Sequence, residues 1–103
     1  IAQNFSKQQA GEIVKMGKEK IAITVGGKNG VYSHQQGELV LRHFFKAHPP
    51  TSFKFIFKGK KHGKSSYAIG NYVSKNKVYR VTIQFKLDYS ESYLIEKLTI
   101  ELE

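Results

Sequence analysis

Residues 30–50 read GVYSHQQGELVLRHFFKAHPP, a stretch with a helix start, an amphipathic middle and a hard stop. Ser33 is an N-cap, because its hydroxyl can accept from a free backbone N–H of the first turn. Gln36, three residues on, completes a capping box. Val40, Leu41, Phe44 and Ala47 then fall at the spacing of one apolar helix face. Leu39, Phe45 and His48 widen that face, which points to burial over more than a narrow stripe. Gly37 lies on the same face, where glycine costs about 1 kcal/mol relative to alanine; close approach of helix and sheet would offset that cost. Pro49 and Pro50 end the helix, since Pro49 also pushes His48 out of the α region.

Downstream of this helix the pattern is strand throughout. Over 51–58, Phe53, Phe55 and Phe57 point one way while Lys54, Ile56 and Lys58 point the other. The 59–66 loop, GKKHGKSS, is rich in glycine and lysine and is expected to be solvated and mobile. Tyr67 to Val73 forms the next strand, with Gly70 as a bulge or close-contact position. After a hairpin turn at Lys75-Asn76, Tyr79, Val81, Ile83, Phe85 and Leu87 alternate with Arg80, Thr82, Gln84 and Lys86. A turn over 88–92 leads to a last strand over 93–102. That strand breaks its own alternation: Leu98, Ile100 and Leu102 share one parity, Tyr93 and Ile95 the other. A β-bulge around Glu96-Lys97 would bring all five to the core face. The rival reading keeps strict alternation and points Glu96 inward, which is costly for an unpaired carboxylate, so the bulge is favoured.

Upstream, Ser6 and Gln9 repeat the capping pattern, and Ala10, Ile13 and Val14 follow at helical spacing. With Gly17 as the stop, this gives a short helix over 7–16, while residues 1–5 are too few to assign. Ile21, Ile23 and Val25 alternate as a strand ending at Gly26-Gly27. Asn29-Gly30 is a turn signal, so Val31-Tyr32 is expected to pair briefly with that strand.

The 103 residues suit one domain over 1–103 with a single core. A hydrophobic content of 40% argues against disorder, and the apolar runs are too short for a membrane span. Without cysteine there is no disulfide or thiolate metal site, and the redox compartment stays undetermined. Ile1 in place of an initiating methionine leads us to expect a processed N-terminus, with any targeting segment lost. The net charge of +9 is uneven: residues 51–87 carry nine basic and no acidic side chains, whereas 88–103 carry one basic and five acidic. Such a block could steer an anionic partner or simply be the solvated face of lysine-rich strands.

This element order, together with YSHQQGELVLRHFFKAHPP, SSYAIGNY, VYRVTIQFK and YLIEKLTIE, resembles a small bacterial family of unassigned function in the nuclear transport factor 2-like superfamily. The resemblance covers about residues 8–102 and rests on Tyr32-Ser33, Phe44-Phe45, Pro49-Pro50, Tyr67-Ala68-Ile69-Gly70 and Tyr79-Arg80-Val81. It implies an α+β cone, also described as cystatin-like: a curved antiparallel sheet wrapped around one main helix plus a short N-terminal helix. It also implies an extracytoplasmic setting, periplasmic or secreted. The chain departs from the pattern in lacking a longer first helix, in Gly37 where alanine is expected, and in its basic 59–66 loop. A missing first helix would uncover one side of the cone and favour a homodimer.

Superfamily enzymes of the ketosteroid isomerase type combine a carboxylate base with a tyrosine donor in an apolar cone. Here Tyr67, Tyr79 and Tyr93 have inward parity, but Glu96 is the only arguable base, so a non-enzymatic protein is expected. His34 and His43 are nine residues apart, His48 is a helix-end residue and His62 sits in the basic loop. None has the spacing of a metal pair, so no metal or cofactor is expected. The candidate pocket lining is Phe44, Phe45, Phe53, Phe55, Tyr67, Tyr79, Phe85 and Tyr93. The candidate basic surface is Lys54, Lys58, Lys60, Lys61, Lys64, Arg80 and Lys86, with Ile56 and Tyr72 nearby and without the stacking signature of single-strand binders. The leading expectation is a binding module for a small apolar ligand or a protein partner. An anionic-polymer binder, for nucleic acid or polysaccharide, comes second, and a small enzyme using Glu96 and a tyrosine third.

Overall fold

The central helix forms as its sequence dictates. In the computed structural model, which describes residues 1–59, 63–90 and 92–103, the earliest elements are helices α1 (Ala2–Ser6) and α2 (Ala10–Lys15). Strands β1 (Gly17–Val25) and β2 (Lys28–Ser33) follow, then the long helix α3 (His34–Ala47). Strands β3 (Ser52–Lys58), β4 (Ser65–Ser74), β5 (Lys77–Leu87) and β6 (Tyr93–Leu102) complete the chain. Ser33 caps α3 with the reciprocal Gln36 bond of a full capping box. His48 leaves the helix at φ −133°, ψ 72°, as the residue before a proline must.

The six strands form one curved sheet in the order β2-β1-β6-β5-β4-β3. Every pairing is antiparallel except β1 with β6, which run parallel and so join the N-terminal hairpin to the C-terminal meander. The helices lie on the concave side. Gly37 is the close-approach residue: a Cβ there would meet Ile23 Cδ1 at 3.2 Å and Val14 Cγ1 at 3.4 Å, so β1 and α2 both press on this turn. The buried stripe of α3 is narrower than its sequence suggests. Gly37, Leu41, Phe44 and Phe45 are buried, but Leu39 and Ala47 face solvent because the sheet covers only one side of the helix.

The N-terminus departs from the expected single helix over 7–16. Two short helices meet at Gln8, whose φ of 57° breaks the helical path, and Ser6 closes α1 rather than capping α2. The cause is Phe5. It is fully buried, stacked on Phe53 at 4.6 Å and edge-on to Phe45 at 6.0 Å, and it draws the first turn onto the sheet. Burying such a ring contributes about 1.5–3 kcal/mol. Gly17 is likewise the first residue of β1, not a helix stop. The first hairpin turns at Gly26-Gly27, not at Asn29-Gly30. Its two-residue loop requires positive φ at both central positions, and the glycines supply 57° and 85°. Asn29 instead sits within β2, where its Oδ1 accepts from the Thr24 hydroxyl at 2.6 Å.

Two bulges set the shape of the sheet. In β6 the register slips between Gln84 and Phe85, leaving Glu96 without a partner in the ladder, as the parity conflict requires. Of the five residues expected in the core, Ile95, Leu98 and Ile100 are buried, whereas Tyr93 is half-buried and Leu102, at the strand end, is exposed. In β3 a second slip falls between Phe55 and Phe57, with Ile56 as the extra residue. This one overturns the expected alternation. Phe57 pairs with Ile69 on the convex face and is 46% exposed, while Lys58 pairs with Ala68 on the concave face. The hairpin at Lys75-Asn76 forms as read, both residues holding positive φ. Gly70 is a close-contact site, since a Cβ there would overlap the ring of Phe53.

Candidate functional site

The concave face changes character from one end to the other. The inward residues of β4 are Ser74, Tyr72, Gly70, Ala68 and Ser66, the last three forming a run of small side chains on one side of the tyrosine. The tyrosine end lies under the C-terminal turn of α3. There Phe44 packs against Phe45, Tyr72 and Tyr79 with ring centroids 5.2–6.1 Å apart. Phe44, Phe45, Phe53 and Tyr79, four of the expected pocket residues, are therefore filled core rather than lining. Tyr72, expected beside the outer basic face, is fully buried here. Its hydroxyl donates to the His48 carbonyl (2.5 Å), satisfying a helix-end acceptor that Pro49 and Pro50 leave unpaired. Tyr79 hydrogen-bonds His48 Nδ1 at 3.0 Å. Burial pushes the Tyr72 hydroxyl well above the ordinary tyrosine range, and neighbouring Tyr79 adds to the shift.

At the other end the sheet continues past the helices, and the small residues leave space. A cavity of about 370 Å³ opens there, walled by Phe55, Phe85 and Ile1 and floored by Ala68. Lys58, Ser66, Tyr67 and Tyr93 supply its polar rim. Four expected pocket residues, Phe55, Tyr67, Phe85 and Tyr93, thus line an open space. Tyr67 does so from the rim: its parity is outward, contrary to expectation, and its ring lies 5.3 Å from that of Phe57. The Tyr93 hydroxyl donates to the Gly63 carbonyl at 2.8 Å, and that of Ser66 to Gly59 at 3.4 Å. Lys58 extends along the wall with its Nζ 5.1 Å from the centre of the Phe55 ring. Five lining residues, Ile1, Lys58, Gly59, Ser66 and Ala68, were not expected from the sequence, and only the β3 bulge brings Lys58 inside.

Among the described residues no carboxylate lines this cavity. Glu96 borders a separate groove on the convex face with Tyr67, Thr82 and Gln84. Its Oε2 lies 3.5 Å from Lys18 and 3.7 Å from Lys86, and its side chain is 42% exposed. That is a solvated ion-pair position, not a dry base in a cone. Asp88 stays in its turn, where hydrogen bonds from the Ser90 hydroxyl and the Ser92 amide hold its carboxyl below the usual range. His34 binds the carbonyls of Gly17 and Lys18, His43 is exposed, and no three His, Cys, Asp or Glu come together among the described residues.

The expected basic surface is divided. Lys54 and Arg80 do share the convex face, but Arg80 pairs with Glu103 at 2.6 Å and Lys86 with Glu96. Lys58 is on the concave side, and Lys64 is exposed beside Leu87, Asp88 and Tyr89. Lys60, Lys61 and His62, and with them the expected mobile loop, lie outside the described residues, as does Glu91. Among the described residues no helix is long and apolar enough to cross a membrane.

A curved sheet wrapped around helices defines the class: a nuclear transport factor 2-like, or cystatin-like, α+β fold. More specifically, the chain belongs to the family described as a domain of unknown function, DUF4783, whose model matches residues 1–101. A DUF4783 family protein from Bacteroides ovatus has a TM-score of 0.89 at 22% identity, covering 99% of this chain and 91% of that one. A cystatin-like domain of unknown function from Nostoc punctiforme has a TM-score of 0.74 at 8% identity, covering 99% and 70%. A nuclear transport factor 2-like protein of unknown function from Silicibacter pomeroyi has a TM-score of 0.69 at 8% identity, covering 99% and 86%. At these identities the solved structures establish the fold alone. No curated protein matches the chain.

Proposed function

We propose that this protein is a non-enzymatic binding module that takes a small, largely apolar ligand into the open end of the cone. The observation that carries this reading is the 370 Å³ cavity between Phe55, Phe85 and Ala68. Its volume falls at the low end of the roughly 300–1,000 Å³ typical of small-molecule sites. The wall is apolar and the polar groups sit at the rim, an arrangement that fixes a ligand's orientation. A catalytic reading finds no base at the cavity among the described residues, because Glu96 points to the convex face between two ammonium groups. A charge-driven reading finds no continuous cationic face among the described residues, because Arg80 and Lys86 are paired. An extracytoplasmic setting belongs to the same proposal and rests on the family resemblance alone.

The test is titration with N-phenylnaphthylamine, a neutral dye that fluoresces in apolar sites. The wild-type protein is expected to give a saturable signal, and Ser66→Phe, which fills the mouth from β4, to abolish it while leaving the melting temperature in place. No saturable signal in the wild type, or an undiminished one in a folded Ser66→Phe, would overturn the proposal.

A further inference from the structure

The geometry points to a ligand with an anionic head, a small single-chain amphiphile whose carboxylate is held by Lys58. This rests on the cavity reading above and adds to it the chemistry of the ligand's polar end. The β3 bulge is the origin of the feature. By taking up Ile56, it turns Phe57 out to solvent and places Lys58 opposite Ala68, on the cavity side of the sheet. The lysine stem then runs along the apolar wall, and its ammonium stands over the Phe55 ring at 5.1 Å.

Among the described residues no carboxylate pairs with Lys58. The other rim groups, Ser66, Tyr67 and Tyr93, present hydroxyls. Among the described side chains that line the mouth, Lys58 is the cationic one, set against an apolar interior where an anion is attracted more strongly than in open water. An uncharged ligand would leave that complementarity unused. A ligand with two acyl chains would exceed the volume available, whereas one medium-length chain can lie along Phe55 and Phe85 with its head at the rim.

Displacement of N-phenylnaphthylamine by decanoate and by decanol separates head from tail, because the two share a chain and differ in charge. Decanoate is expected to displace the dye from the wild type at about tenfold lower concentration than decanol, as a charge-assisted hydrogen bond at a partly exposed site allows. Added salt should narrow that gap. Lys58→Met should bring decanoate to the level of decanol, and Lys58→Arg should keep most of the preference. Equal displacement by both compounds from the wild type would overturn the inference, as would Lys58→Met weakening both alike or neither. Binding of decanol without preference for decanoate would leave the cavity reading standing alone; displacement by neither would remove both.

Discussion

Gly70→Ala tests how the aromatic end of the cone is packed, because two effects of opposite sign meet there. Replacing glycine by alanine in a tolerant strand position stabilises a protein by about 0.4–1 kcal/mol through the unfolded chain. At Gly70 the new methyl would overlap Phe53 Cζ and come within 2.9 Å of Cε2 and 3.2 Å of Cε1. The ring has nowhere to go. Phe5 is stacked on one of its faces at 4.6 Å and 12°, and Phe55 meets it edge-on at 5.0 Å and 89°. Overpacking of this kind costs about 1–3 kcal/mol, so the net expectation is a loss of about 1–2 kcal/mol. For a chain of this size that lowers the melting temperature by about 4–8 °C per kcal/mol. The assay is urea denaturation of four proteins: wild type, Gly70→Ala, Phe53→Leu and the double variant. Leucine does not reach the Cζ position, so Gly70→Ala should cost little in the Phe53→Leu background, a coupling of about 1–2 kcal/mol. Wild-type stability in Gly70→Ala, or the same penalty in both backgrounds, would refute the clamped-ring picture.

Two titrations follow from the polar groups. Tyr72→Phe should cost about 1–3 kcal/mol at neutral pH by leaving the His48 carbonyl unsatisfied. Because the folded Tyr72 hydroxyl titrates above the unfolded one, its contribution is complete below about pH 10 and is lost as pH rises. The stability gap between wild type and variant should therefore narrow from pH 9 to 11 in denaturation experiments, and a widening gap would contradict the burial argument. Asp88 has the opposite sign: its carboxyl is held low, so its contribution is present above the ordinary aspartate value of about 3.9 and is lost as pH falls below it. The amide shifts of Ser90 and Ser92, followed by NMR, should report a midpoint below that value; a midpoint at or above it would mean the turn does not hold the carboxylate.

The two bulges show why one part of the fold was legible in the sequence and another was not. In β6, Tyr93 and Ile95 disagree in parity with Leu98 and Ile100, and only an extra residue reconciles them, so the bulge at Glu96 can be read directly. In β3, Phe53, Phe55 and Phe57 alternate without a break, so nothing local announces that Ile56 will be extruded. Helix α3 was legible for the first reason, since its cap, face and stop agree. Phe5 was not, because five residues carry too little periodicity and its burial depends on Phe53, Phe45 and the distant strand that presents them. Charge behaved in the same way. The all-basic run 51–87 looks like one face, but the acids that pair with it, Glu96 and Glu103, arrive only through the pairing of β5 with β6.

The candidate site follows from that unannounced bulge together with a run of small inward residues in β4. Along the inward face of β4 the positions on one side of Tyr72, namely Gly70, Ala68 and Ser66, are all small, while α3 ends over Tyr72. The sheet must therefore be filled at one end and hollow at the other. What the hollow end presents depends on one residue of register in β3. Strict alternation would bring Phe57 inward opposite Ala68 and send Lys58 to solvent, closing the space with an apolar ring. With Ile56 extruded, Phe57 packs on Tyr67 outside and a lysine takes the inner position. An edge strand can accept such a slip because only one neighbour, β4, has to adjust its hydrogen bonds. The position of β3 at the sheet edge thus makes a charged, open mouth structurally accessible.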